Sequence, residues 1–154
     1  MMKTINRLEY LMPVEFEVVV SYVNDLLESD SDIFFALYMK DGDEFIGTVR
    51  VAKMDWRHGL ADVGILIGNR SAWGRGIATD AINAVSKYLF ESLGFRKLTA
   101  GALSNNLAVI RAFENNGYVR EALFREQFRF ENELVDHIYL GCFQPEFRKS
   151  THQN

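Results

Sequence analysis

Between positions 69 and 79 the sequence reads Asn69-Arg70-Ser71-Ala72-Trp73-Gly74-Arg75-Gly76-Ile77-Ala78-Thr79, two glycines around a basic residue directly ahead of a helical pattern. Such a stretch gathers free backbone N–H groups and the positive end of a helix dipole, about half an elementary charge, at one point, which makes an anion site. Glycine permits the tight turn and removes side chains that would hold a pyrophosphate away from the backbone, and Arg75 adds a charge-assisted contact. The stretch is not a P-loop, because Gly-x-x-x-x-Gly-Lys-Ser/Thr is absent, and a dinucleotide Gly-x-Gly-x-x-Gly would need glycine where Thr79 stands. Taken alone, Gly-x-Gly reads first as a tight strand-to-helix connection, so its neighbours must decide.

Other groups able to do chemistry are scattered. Asp62, Glu121, Glu126 and the pair Asp136-His137 could act as general bases, but no spacing singles one out, and an exposed carboxylate is more often simply solvated. Cys142 is the single cysteine, so no internal disulfide and no Cys/His zinc pattern can be written, and no metal is expected. It reads as a small buried hydrophobe. His58 falls in a turn and His152 in the tail, both expected to be exposed and incidental. Phe124, Phe128, Phe130, Tyr139 and Phe143 crowd the last two strands beside Arg125, Arg129, Glu126 and Asp136; filling a sheet face explains most of them.

The elements that must position these groups follow from periodicity. Phe16, Val19, Val20, Val23, Leu26 and Leu27 have the spacing of a helix over 15–27 with one buried face. Ile33 to Tyr38 reads as a buried strand, Asp41-Gly42-Asp43 as a turn, and Phe45 to Met54 as a second strand. Val63, Ile65 and Ile67 alternate along a third strand, with Gly64 and Gly68 inviting a close neighbour or a bulge. Ile77, Ala81, Ala84, Val85, Tyr88 and Leu89 share one face of a long helix that Gly94 stops. A strand over Lys97 to Leu103, a short helix capped by Asn105 or Asn106 and ending at Asn115-Asn116-Gly117, and two strands joined at Glu131-Asn132-Glu133 complete the order. That order predicts an α+β fold, a mixed sheet covered by helices, and leaves 145–154 as a tail.

The chain of 154 residues, 48% apolar and 25% charged, has room for one domain with a real core. A net charge of −4 removes any electrostatic basis for an unpatterned grip on nucleic acid. Neither a bilayer-spanning run nor the apolar core of a secretory signal is present, and together with the lone cysteine this predicts a soluble, cytoplasmic protein with no membrane partner.

Three strings in register carry a resemblance: Ala61-Asp62-Val63-Gly64-Ile65-Leu66-Ile67-Gly68, Trp73-Gly74-Arg75-Gly76-Ile77-Ala78-Thr79-Asp80-Ala81, and Asn106-Leu107-Ala108-Val109-Ile110-Arg111-Ala112-Phe113-Glu114-Asn115-Asn116-Gly117-Tyr118. Together they resemble the GNAT (GCN5-related) N-acetyltransferase family, in the branch of ribosomal-protein alanine and amino-sugar acetyltransferases. The likeness implies a mixed, mostly antiparallel sheet in which two parallel strands splay to form an acetyl-CoA notch, with helices on both faces. It implies direct acetyl transfer from acetyl-CoA to a primary amine of a small molecule, an amino sugar or a protein N-terminus, with no metal. By motif, Gly74, Arg75 and Gly76, with Ala78 and Thr79, would contact the pyrophosphate, Trp73 and Ile77 would belong to the same cofactor site, and Ile65, Leu66 and Ile67 would meet the pantetheine arm. Asn106 and Phe113 would also line the cosubstrate. A backbone N–H at or near Leu66 would hold the oxyanion. Glu126 and Asp136 lie in segments that commonly face the acceptor and stand as base candidates.

Departures from the family pattern matter equally. The position of the tyrosine that often protonates the departing thiolate holds Phe113, and that of a serine seen in other relatives holds Val109. Neither side chain donates a proton. Tyr139, Tyr118 or a water would then serve, or the thiolate leaves as an anion. The alternative reading is a CoA-binding or protein-interaction module that kept the fold and lost turnover. Only Met1 to Val14 precede the first helix, where relatives carry a strand and a helix more, so the acceptor half is expected to be open, to be completed by a partner chain in a homodimer, or to be shortened because the sequence is truncated.

Overall fold

A computed structural model describes residues 15–151, with side chains through Phe147. In chain order it contains α1 (Phe16–Leu27), β1 (Ile33–Tyr38), β2 (Phe45–Asp55), β3 (Leu60–Ile67), a 3-10 turn at Arg70–Ala72, α2 (Ile77–Lys87) running into a π turn at Tyr88–Ser92, β4 (Lys97–Leu103), α3 (Leu107–Glu114), β5 (Val119–Phe130), β6 (Glu133–Phe143) and α4 (Gln144–Thr151). The six strands form one sheet in the order β1-β2-β3-β4-β6-β5. β3 and β4 are parallel and every other neighbouring pair is antiparallel. This is the expected α+β architecture.

Alternation divides the sheet into two faces. Val49, Val51, Ala61, Val63, Leu98, Ala100, Ile138, Leu140 and Cys142 point to one side and bury Ile82, Val85, Leu89, Phe90, Ile110 and Phe113 from α2, its π turn and α3. Thr48, Arg50, Ala52, Asp62, Gly64 and Gly101 point to the other side, under α1. The core therefore lies beneath the helices that follow the glycine loop, and the opposite face is left for a site.

The structure corrects three expectations. The apolar stripe of α1 does not enter the core: Leu26 is its one buried residue, while Phe16 is 75% and Val18 58% exposed. α1 lies over a cleft, and Val18 and Val19 line that cleft. Gln144–Thr151, within the stretch read as a tail, is helix α4, pinned by Phe147, which is buried against Phe90 at 5.5 Å between ring centres. The short segment 1–14 and His152 lie outside the described residues. His58 is not incidental either; its Nδ1 sits 2.8 Å from Asp55 and its N–H donates to the same carboxylate, closing the β2–β3 turn.

Candidate functional site

The parallel pair β3 and β4 stays in register only at Leu60↔Lys97, Ala61↔Leu98 and Asp62↔Thr99. Beyond Asp62 the strands part and open a cleft of about 780 Å³. Gly47 helps to set the splay: a Cβ there would collide with the Leu66 carbonyl, so its bare backbone lets β3 lie close against β2. Gly64, by contrast, has nothing nearer than the Arg50 carbonyl at 3.9 Å, and its missing side chain leaves room in the cleft floor.

The ladder decides which backbone groups face the notch. Gly68 N–H donates to Ile46 C=O, and Leu66 registers with Thr48 two residues earlier. Hydrogen-bonded pairs alternate along an antiparallel ladder, so Leu66 turns its N–H to Thr48 and the N–H groups of Ile65 and Ile67 face the open edge. The Leu66 N–H is thus committed to β2, and the free donors are its two neighbours. The Ile67 carbonyl already accepts the Trp73 indole N–H at 3.0 Å. Trp73 thereby folds back along β3, with the Arg70 guanidinium 5.8 Å from the ring centre.

After β3, Asn69 caps the 3-10 turn, its side chain accepting from the Ser71 N–H and hydroxyl. Gly74 and Gly76 both adopt left-handed backbone, φ 71 and 77, and a Cβ at either would meet nothing within 4 Å, so the loop presents open space above its backbone. Gly76 is the N-cap of α2 and offers no side chain to its first turn, leaving the N–H groups of Ile77, Ala78 and Thr79 without a cap. Asn116 steadies that turn from behind. It is buried, donates through Nδ2 to Thr79 C=O at 3.0 Å and Ala112 C=O at 2.9 Å, and accepts from Asn83 at 2.9 Å. In the sequence this residue read only as part of a helix stop.

Across the cleft, Asn106 caps α3 by accepting from the Val109 N–H at 3.4 Å. The cap uses Oδ1 and leaves the amide donor available at the wall that Asn106 shares with Val109 and Phe113. Phe113 is buried and packs edge-on to Tyr118 at 4.9 Å.

Among the described residues, the titratable groups that line the cleft are Tyr22, Asp32, Arg50, Lys53, Asp62 and His137. Asp62 accepts from the Thr99 hydroxyl at 2.8 Å. His137 stands between the rings of Phe128 and Tyr139, 5.0 and 4.8 Å away, over the bare Cα of Gly101. Burial lowers its pKa below the ordinary 6.5, and the Asp62 carboxylate pulls in the opposite direction. Asp32 is pushed up by burial but held lower on balance by Arg50, Ser31 and Ser29. Arg50 reaches it at 2.7 Å and also donates to the Tyr22 hydroxyl at 3.1 Å, which fastens α1 to the sheet.

The two favoured carboxylates are placed elsewhere. Glu126 is exposed at a break in β5, with φ 49, and its N–H donates to Asp136 Oδ1 at 2.8 Å. Asp136 thus holds a bulge together, and neither residue lines the cleft. Tyr139 stacks on His137 and Phe124 without lining the cleft, while Tyr118 is buried with its hydroxyl on Ser86 at 2.9 Å and its pKa driven far upward by burial. Burial raises the Cys142 thiol to about 12, so it remains a core residue. Among the described residues no group of three or more His, Cys, Asp or Glu could hold a metal ion.

The sequence model of the acetyltransferase (GNAT) domain matches residues 9–119. The chain belongs to the GNAT acetyltransferase family. As a GNAT enzyme it moves an acetyl group from acetyl-CoA to an amine. It is similar to the uncharacterised N-acetyltransferase p20 of Bacillus licheniformis, 26% identical over 129 residues that cover 84% of this chain and 72% of that one. A probable N-acetyltransferase, YjcK of Bacillus subtilis (strain 168), is 27% identical over 129 residues, covering 82% and 70%. Among solved structures, spermidine N-acetyltransferase from Vibrio cholerae in complex with CoA and spermine superposes with a TM-score of 0.83 at 21% identity, covering 96% of this chain and 84% of that one. The shared architecture is that of a GNAT enzyme.

Proposed function

We propose that acetyl-CoA enters the β3–β4 notch with its pyrophosphate on Gly74, Arg75, Gly76 and the first turn of α2, and that a primary amine reaches the thioester from the α1 side. The observation that carries this reading is the parting of β3 from β4 directly ahead of a doubly left-handed glycine loop and an uncapped helix start. Pantetheine amides would pair with the open edge of β3 at Ile65 and Ile67, one of whose N–H groups would also hold the oxyanion in place of Leu66. Asn106 would donate from the facing wall, beside Phe113.

Asp62 attracts the incoming ammonium, and neutral His137 takes its proton directly or through one water. The freed amine attacks the thioester carbonyl, and the C–S bond breaks as the oxyanion collapses. With Phe113 in the wall and both tyrosines out of reach, the thiolate leaves as an anion, at modest cost for a thiol whose ordinary pKa is about 8.5. Tyr139→Phe should therefore fall well short of the roughly hundredfold or greater loss that removing a general acid brings.

The test is a melting shift with CoA and with acetyl-CoA, followed by thiol release in the presence of amines. Both cosubstrates should stabilise the protein. Gly76→Val, which strains a left-handed residue and fills the cradle, should abolish the shift; a protein that CoA does not stabilise would overturn the reading. The buried thiol suits a reducing, cytoplasmic setting. β5 forms a sheet edge with Val119, Leu123 and Phe124 exposed, which supports a homodimer that light scattering would detect.

A further inference from the structure

The acceptor side of the cleft is balanced in charge. Among the described residues its carboxylates are Asp32 and Asp62, and its cations are Arg50 and Lys53. Asp32 is consumed: Arg50 takes Oδ1 through two nitrogens at 2.7 and 2.8 Å, and the Ser29 and Ser31 hydroxyls take Oδ2. One carboxylate, Asp62, remains to receive one ammonium. Arg50 and Asp32 neutralise each other, so a second ammonium on the same acceptor would find no further carboxylate among the described residues and would meet Lys53, and the cleft opposes a polyamine.

Lys53 is in this cleft because the backbone is bent to put it there. Neighbouring residues of a strand point to opposite faces, yet Ala52 and Lys53 both line the cleft. The β2–β3 register breaks between Ala52 and Asp55, and Lys53 has φ 52, a conformation that side-chain-bearing residues seldom adopt. A bulge re-aims one side chain, and strain of this kind collects at functional sites. The Lys53 ammonium makes no ion pair among the described residues. Ala52 registers with Asp62, so Lys53 leaves the backbone one residue beyond the position opposite Asp62, whose Oδ2 accepts from the Thr99 hydroxyl. Phe34, Phe128 and Val18 supply apolar walls around them.

We propose that the acceptor is a small amino acid, whose amine is held at Asp62 beside His137 and whose carboxylate is held by Lys53. The assignment rests on the acetyltransferase reading of the same cleft and deepens it. Acetylation removes the ammonium charge and leaves the carboxylate on Lys53, and the Asp62 contact is then lost, which favours release of the N-acetyl product.

The test is kcat/KM for thiol release with free apolar and aromatic amino acids, their carboxamides, putrescine, spermidine and an N-terminal peptide. A charge-assisted contact to the carboxylate should favour each acid over its amide by roughly tenfold or more. Lys53→Gly suits the left-handed backbone, so melting should hold or rise while the acid-to-amide ratio falls toward one; Lys53→Arg should keep the ratio. A merely structural lysine would give the opposite, a change in melting with no change in ratio. Equal rates for acid and amide, or faster acetylation of a polyamine or of the peptide, would overturn the assignment while leaving the acetyltransferase reading intact. Stabilisation by CoA with no amine acetylated would also overturn it, and only the absence of any CoA effect would strike the underlying reading.

Discussion

His137 shows how a single ring is prepared by its neighbours. Phe128 and Tyr139 clamp it edge-on, and Gly101 offers the flat spot it rests on. The lowered pKa keeps the imidazole neutral, with the base form present above its folded pKa and lost as pH falls through it. The acid limb of kcat/KM should therefore lie below 6.5. Asp62→Asn removes the group that opposes the shift, so the limb should move lower still. His137→Gln should cost roughly 10²–10⁴ in kcat/KM and erase the limb; a variant with an unchanged profile would remove His137 from the reaction. Gly101→Ala probes the same seat without touching the ring's chemistry. An added Cβ would lie 2.8 Å from the imidazole, so the ring must move, and kcat should fall while CoA still raises the melting temperature. None of this can be read from one-dimensional spacing. Asp62 and His137 stand 75 positions apart by their numbering and line one cleft because β3, β4 and β6 are adjacent, whereas Glu126 and Asp136 looked better placed until a bulge claimed both.

Element positions were largely legible, because periodicity of 3.6 or 2 is a property of the local string. β1 spans Ile33–Tyr38 as expected, α2 begins at Ile77 after the glycines, and Asn106 caps α3. Breaks within elements were not legible: the slips in β2 and β5 that re-aim Lys53 and Glu126 depend on what the partner strand does. The tie between elements was hidden for the same reason. Asn116, at the end of α3, bonds the Thr79 carbonyl in the turn of α2 that would face the pyrophosphate. Asn116→Leu keeps approximate bulk and removes the Nδ2 donor, taking from the Ala112 carbonyl the donor this side chain supplies and from the Thr79 carbonyl its additional bond, a loss of about 1–3 kcal/mol in stability. If the residue also positions the loop, KM for acetyl-CoA should rise severalfold while KM for the amine stays near its wild-type value. A fall in melting temperature with both constants unchanged would make it purely structural.

Over the whole molecule, cohesion and access are divided between the two faces of the sheet. α2, α3 and α4 close a continuous apolar core against β2, β3, β4 and β6, in which Ile82, Leu89, Leu98, Ile110 and Leu140 are fully buried. α1 contributes one buried residue and is fastened by the Tyr22–Arg50–Asp32 chain. Its stripe has the periodicity of a core helix, so the sequence could not show that the stripe roofs a cleft; only the tertiary arrangement distinguishes the two. Local opening follows local burial, so backbone amides of α1 should exchange with solvent through a low-energy opening, whereas those of β4 and β6 should exchange only near global unfolding. CoA should slow exchange along Ile65–Ile67 and the first turn of α2 and leave α1 nearly unchanged, because the notch and the roof lie at different parts of the cleft. Adding an acceptor amine should then slow α1. Hydrogen exchange read by mass spectrometry over these segments separates the outcomes: protection of α1 equal to that of β4 before any ligand is added would mean that the roof is part of the core. Arg50→Met sharpens the comparison, since it cuts the tie to Tyr22 while retaining an apolar stem. It should speed α1 exchange and raise KM for the amine, with CoA binding preserved.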